Sequence, residues 1–196
     1  MAGAFSELVK PGGEVVAVDA HDQREVHEGY EFVKVDDASL PFPDARFDLV
    51  VSNHVMEHVG TRADQTHHLR EIRRVLAPGG FAYLAVPNRW RPVEPHFRLP
   101  FLSWLPQKLS DRYVKLSGKG DWYDVEPPSA RTMAGLLDSS GLEWQDCTLE
   151  AARVLAEVEQ SAGLVTRVLS RAPSWLFRLG APLVPSMIYV ASGRRS

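Results

Sequence analysis

The chain has 196 residues, 44% of them hydrophobic, a length and composition that suit one globular domain and exclude general disorder. Lys and Arg total 22 against 25 Asp and Glu, a net charge of −3, so nothing points to nucleic acid as a partner. Cys147 is the single cysteine; no internal disulfide can form, and a reducing, cytoplasmic setting is expected.

The N-terminal MAGAFSELVKPGG lacks a basic region followed by an apolar run, so no signal peptide is expected. No apolar stretch approaches the roughly 20 residues that span a bilayer. Residues 4–9 read as the end of a helix stopped by Pro11, Gly12 and Gly13. EVVAVD, residues 14–19, reads as a buried strand; residues 32–35 and FDLVVS, residues 47–52, read as the next two. Residues 66–76 place Leu69, Ile72, Val75 and Leu76 on one face and Arg70, Glu71, Arg73 and Arg74 on the other, an amphipathic helix ended by Ala77-Pro78-Gly79-Gly80. FAYLAV, residues 81–86, is the fourth strand. Strands alternating with helices predict a mainly parallel sheet, and continuous apolar strands one that is buried on both faces.

Residues 87–128 break this rhythm with seven prolines and with Trp90, Trp104, Trp122 and Tyr123. So long an excursion reads as a substrate-side cover, with short helices over 101–105 and 107–116. Ser129 and Gly141 bracket a helix over 130–140. Residues 143–149 read as a strand, 151–170 as a helix, 174–179 as a second apolar piece, and SMIYVA, residues 186–191, as the last strand. Residues 151–185 therefore form a helical insertion within one domain spanning 1–196.

Asp19 ends the first strand, at the sheet edge where ligands bind in open parallel sheets, and a carboxylate there can accept two hydrogen bonds from a ribose. A cap or turn role is the alternative. After the next strand comes DDASLPFPD, in which one acid can accept from an adenine amine while Leu40 and Phe42 offer an apolar wall; a proline-rich turn is the alternative there.

VVAVDA, VDDASLPFPDARFDLVVSNHVMEHV and LREIRRVLAPGGFAYLAVPN, in this order, resemble the class I S-adenosylmethionine-dependent methyltransferase family, in its small-molecule branch. The resemblance implies an α/β Rossmann-like methyltransferase sheet, mostly parallel with an antiparallel last strand. It implies S-adenosyl-L-methionine as cofactor and methyl transfer to oxygen, nitrogen or carbon of a small molecule. Asp19 and Ala20 would meet the ribose, and Asp36, Asp37 and Ala38 the adenine. Asn53 and His54 would face the methionine half and the methyl group. Glu57 and His58 match the family's Glu-His pair, and His58 is expected to bond a backbone group. In some quinone-modifying members a similar acidic cluster with histidine holds a divalent metal; with Asn53 and His54 in part of its place, no metal is expected. The family opens with a central strand ending in G-x-G-x-G. Here Gly3 would be the last of those glycines and the strand is lacking, so a start upstream of Met1, a re-paired sheet or another segment in the slot is expected.

An in-line approach to an activated sulfonium needs little beyond alignment, with a general base when the nucleophile is a hydroxyl. His54 and His96 are the candidates for that base. The apolar and arginine-rich stretch LVTRVLSRAPSWLFRLG suggests, beside a packed helix pair, an interfacial segment that would bring a lipid-linked substrate near and hold the protein at the membrane periphery. The competing functions are an inactive binding or scaffold module, favoured by the missing glycine loop, and a nicotinamide-dependent oxidoreductase, disfavoured by the D-x-x-x-L-P-F and E-H-V elements. Oligomeric state is open.

Overall fold

The computed structural model describes residues 2–9, 12–22, 24–158, 173 and 184–193. They fall into two compact units, residues 1–41 and 42–196.

The first unit holds helix α1 (Ala2–Leu8) and strands β1 (Val16–Asp19) and β2 (Glu31–Lys34). β1 and β2 pair in parallel, Val16 opposite Glu31 and Asp19 opposite Lys34. β1 is not the buried strand the sequence suggested. Val16 and Ala17 are half-buried, and Val18 and Asp19 are exposed. Among the described residues β1 bonds to β2 alone, and one seven-residue helix gives its unit little apolar surface with which to cover it. Gly29 takes a left-handed φ of 86° where a Cβ would meet Ser6 Oγ at 2.7 Å, so the turn before β2 needs glycine.

The second unit is built on a four-stranded sheet. Its strands are β3 (Phe47–Asn53), β4 (Leu76–Pro87), β7 (Leu142–Asp146) and β8 (Ser186–Gly193), in the order β3-β4-β8-β7. β3 and β4 are parallel, and β8 runs antiparallel to both β4 and β7, as the Rossmann-like expectation requires. The Pro-Gly-Gly after α2 is part of β4 rather than a stop before it. Phe47 faces Leu76 while Leu49 faces Phe81, so the extra residues bulge out between the two pairs. Three backbone oxygens, of Phe47, Asp48 and Ala77, would each lie 3.0 Å from a Cβ on Gly80.

Helix α2 (Arg62–Val75) starts four residues before the sequence-predicted bound. Thr61 accepts from the Asp64 backbone N–H, and the Asp64 carboxylate accepts from the Thr61 N–H, a reciprocal cap that fixes the start. Leu69, Ile72 and Val75 are buried. Helix α4 (Ala130–Ser140) starts at Ser129 and stops at Gly141, the two residues that the sequence marked. From α4, Met133 and Leu137 join Leu69, Ile72, Leu84, Val86 and Tyr189 in the main core. Each such side chain contributes roughly 1.5–3 kcal/mol on leaving water.

Two sequence expectations are corrected. β7 ends at Asp146 because the Asp146 carboxylate accepts from the Thr148 N–H, turning the chain into helix α5 (Thr148–Val158). The excursion contains a short hairpin, β5 (Val93–Glu94) with β6 (Leu99–Pro100), that no alternation announced. A 3-10 turn (Leu102–Trp104) and helix α3 (Gln107–Leu116) follow, as expected. The excursion has its own core of Leu99, Leu102, Val114, Tyr123 and Val125. The part of the expected helix beyond Val158 and the apolar piece at 174–179 lie outside the described residues. No helix of the described residues is long and apolar enough to cross a membrane.

His68, on α2 with its Nε2 3.5 Å from Ser52 Oγ, is half-buried, and loss of hydration pulls its imidazole from 6.5 down to about 4. Between those values the unfolded chain takes up a proton that the folded chain refuses. Stability should therefore fall as pH drops through this window and be level with respect to His68 above about 6.5. Urea midpoints at about pH 7.5 and about pH 5 should separate further in the natural chain than in His68→Gln. An equal separation would dismiss His68 as the cause.

Candidate functional site

In the first unit, an open cavity of about 760 Å³ is lined by Gly3, Ala17, Asp19, His21, Arg24 and Phe32, among others. This lies within the ~300–1,000 Å³ usual for small-molecule sites. The end of β1 supplies Ala17, Val18 and Asp19 to the cavity lining in succession. One oxygen of Asp19 accepts from the His21 N–H at 3.0 Å, and the other has no partner among the described residues. Arg24 is clamped by Asp22 through two bonds of 2.7 Å and stands 4.3 Å above the Phe32 ring. That clamp holds the Asp22 carboxyl at about 2.

Asp36 follows β2, two residues past Lys34, the residue that the parallel register sets opposite Asp19. It does not line the cavity: its side chain is exposed, with Lys34 Nζ 4.0 Å away. Asp37 accepts from the Ser39 N–H, Ala38 is half-buried, and Ala20 is exposed.

The polar centre of the second unit lies past β3. Asn53 ends the strand, and His54 follows in a left-handed conformation, φ 55°, while its N–H still donates to Ala85 O. That reversal leads into a 3-10 turn (Met56–His58) which buries Glu57 completely. Neither Glu57 oxygen has a hydrogen-bond partner among the described residues; His54 Nδ1 lies 3.4 Å from Oε1 and His58 Nε2 4.0 Å from it. His58 departs from expectation. Its ring meets no backbone group but stands edge-on to His96, with the two Nε2 atoms 3.2 Å apart. His96 in turn holds buried Glu94 through Nδ1 at 2.7 Å, and the other Glu94 oxygen accepts from the Phe97 N–H. The hairpin β5–β6 fixes this, since Glu94 and His96 sit at its turn.

Arg91 Nε and the Tyr123 hydroxyl are the other two buried side-chain atoms without a partner among the described residues. Burial lowers the Arg91 guanidinium, against the pull of Glu94 and Glu57, and pushes the Tyr123 phenol well up, so that group stays protonated. Buried polar atoms without partners are scarce in folded proteins, and here they gather in one place. Gln65, fully buried on α2, ties the region together: its Nε2 donates to Met56 O and to Glu126 O, each at 3.0 Å.

The structure thus gathers His54 and His96 around one buried acid pair, Glu57 and Glu94. The aromatics of the excursion do not form one wall: Trp90 packs on Trp104, Tyr123 on Phe97, and Trp122 is exposed. Sequence reasoning missed Glu94 and Arg91. The signal for the first was the Glu-x-His spacing next to a proline turn; nothing marked the second.

Residues 2–84 match the family model described as a methyltransferase domain. The ubiquinone/menaquinone biosynthesis C-methyltransferase UbiE of Pseudomonas putida strain GB-1 is 38% identical over 91 residues, 41% of this chain and 34% of that protein. The enzyme of the same name from Hahella chejuensis is 30% identical over 159 residues, 70% of this chain and 60% of that protein. The chain therefore spans only about a third to three fifths of these relatives. Among solved structures, a S-adenosylmethionine-dependent methyltransferase from Methanosarcina mazei superposes with a TM-score of 0.59 at 15% identity, covering 100% of this chain and 88% of that one. The YcgJ protein of Bacillus subtilis gives 0.52 at 17%, covering 100% and 87%. At such identities these two speak for the fold.

Proposed function

We propose that this chain is a member of the class I S-adenosylmethionine-dependent methyltransferases, and that it transfers a methyl group from S-adenosylmethionine to a small-molecule acceptor. The observation that carries the reading is the unpartnered oxygen of Asp19 facing a cavity of about 760 Å³ at the carboxyl end of a parallel strand. Those residues fit an adenosine: Asp19 would accept from the ribose hydroxyls, Gly3 and Ala17 leave room beside it, and Phe32 offers an apolar face. Asp36, exposed at the next strand end, would accept from the adenine amine, with Asp37 and Ala38 along the ring.

The cofactor supplies an already activated methyl group on a sulfonium, so the protein's work is to align the acceptor and to take a proton from it. The structure offers His54 for the proton. Glu57 lies 3.4 Å from its Nδ1 and orients the ring, and Nε2 lies 3.4 Å from Ser186 Oγ, a position an acceptor hydroxyl could share. His96 is less suited to this, because both of its ring nitrogens already face partners, Glu94 and His58.

Oxygen, nitrogen and carbon acceptors remain within the proposal. The relatives' name specifies C-methylation in quinone biosynthesis, which keeps a lipid-linked acceptor among them. Calorimetric titration with S-adenosylhomocysteine tests the reading, with saturable 1:1 binding expected. No heat from the folded chain would remove it. An inactive binding or scaffold module is the second reading, favoured by the pairing of β1 with β2 alone among the described residues. It predicts a folded chain that gives no heat with S-adenosylhomocysteine.

A further inference from the structure

We propose that Glu57, His58 and His96 form a binding site for a first-row divalent transition cation, of the zinc type. Their ligand atoms, one carboxylate oxygen and two imidazole nitrogens, all lie within 4.8 Å of one another. The two Nε2 atoms are 3.2 Å apart. Two imidazoles bound at about 2.0–2.1 Å to one tetrahedral zinc have their nitrogens roughly 3.3 Å apart, so the pair already has the spacing of co-ligands.

The tautomer agrees. Glu94, 2% exposed, lies 2.7 Å from His96 Nδ1 and keeps the ring proton on that nitrogen, which leaves a lone pair on Nε2 aimed at His58. A carboxylate behind a histidine is the usual outer support of a metal-bound imidazole. Glu57 gives an independent observation. It is fully buried, neither of its oxygens has a hydrogen-bond partner among the described residues, and Oε1 lies 4.0 Å from His58 Nε2. A buried carboxylate in that condition is costly unless a positive charge meets it.

His58 and His96 are partly exposed, which gives the cation a way in and leaves coordination positions open to solvent. Three protein ligands with a free position make a reactive rather than a closed structural site. Imidazole nitrogens favour zinc and its neighbours over magnesium and calcium, which seek oxygen. The excursion contributes His96 and Glu94, and the turn after β3 contributes Glu57 and His58. The sequence expectation of no metal saw only the second of these pairs.

The test is titration of the full chain with zinc in competition with a chromophoric chelator, with circular dichroism to verify the fold of each variant. One zinc per chain is expected. His58→Ala and His96→Ala should each weaken it by about 100-fold. Glu94→Gln, which keeps all three ligands, should weaken it by about 10-fold. Magnesium should not compete. Cobalt(II) should give visible absorption bands in the natural chain that are lost in His96→Ala. No zinc bound by the natural chain would show that the two histidines form only a hydrogen-bonded pair, and would overturn the proposal. Zinc held equally by the His58→Ala/His96→Ala double variant would belong to other histidines and overturn it as well. Neither result depends on S-adenosylhomocysteine binding, so this proposal and the methyl-transfer reading fail separately.

Discussion

Replacing Asp19 with Ala should weaken S-adenosylhomocysteine binding by about 100-fold. Two ribose hydroxyls donating to one carboxylate make two charge-assisted hydrogen bonds, each worth about 1.5–3 kcal/mol. Losing about 3 kcal/mol in all is two decades in Kd. Asp19→Asn keeps one acceptor oxygen and should fall between the natural chain and Asp19→Ala. The loss should not come from unfolding. Asp19 is exposed, and its only side-chain bond within the described protein is the one from the His21 N–H. Calorimetry on both variants decides it: an unchanged Kd in Asp19→Ala would remove the ribose role and with it the main support for the adenosine site.

Gln65→Leu should cost the second unit about 2–4 kcal/mol. The side-chain amide of Gln65 serves Met56 O and Glu126 O, and its carbonyl accepts from Arg62 Nη1 at 2.6 Å. Leucine fills a similar volume but donates nothing, and each buried acceptor deprived of a donor costs roughly 1–3 kcal/mol. The bonds to Met56 and Glu126 bracket Glu57, whose own carbonyl accepts from the Glu126 N–H. The variant should therefore also loosen the turn that holds Glu57 and weaken the cation site. All five tryptophans lie beyond residue 42, so urea unfolding followed by tryptophan fluorescence reports on this unit alone. A midpoint equal to that of the natural chain would show that water replaces the amide at no cost.

The parts of the fold that could be read in advance were those with a local chemical cause. Helix α4 begins and ends at the residues expected because Ser129 caps it and Gly141, at φ 75°, releases it. Helix α3 has its expected bounds for a similar reason, with Pro106 just ahead of it. β7 was overextended because Cys147, Thr148 and Leu149 continue its apolar pattern, and the Asp146 turn that stops it is a weaker signal. β5 and β6 are two residues each, too short for any periodicity. The exposure of β1 could not be read either, since EVVAVD states what the strand could bury and not what covers it.

The candidate site divides the same way. That Asp19 and Asp36 follow adjacent strands was legible because successive strands of such a sheet pair in parallel. That Asp19 lines the cavity and Asp36 does not was not legible, since the path of a loop after a strand has no period. His58 and His96 stand 38 residues apart and meet only because a proline-bounded hairpin folds back over a 3-10 turn. No local pattern encodes such a meeting. Glu57 was visible as half of a motif, but complete burial of its charge is a property of packing.

The separate interior of the excursion bears on how such a protein can change over generations. Leu102 and Val114, fully shielded from water, hold residues 97–125 together without borrowing side chains from the sheet's own core. Outward-facing positions such as Trp122 and Leu116 can therefore drift while the β3-β4-β8-β7 framework stays untouched. Inherited variation on the outer face of this segment would then leave the rest of the second unit's fold as a common chassis.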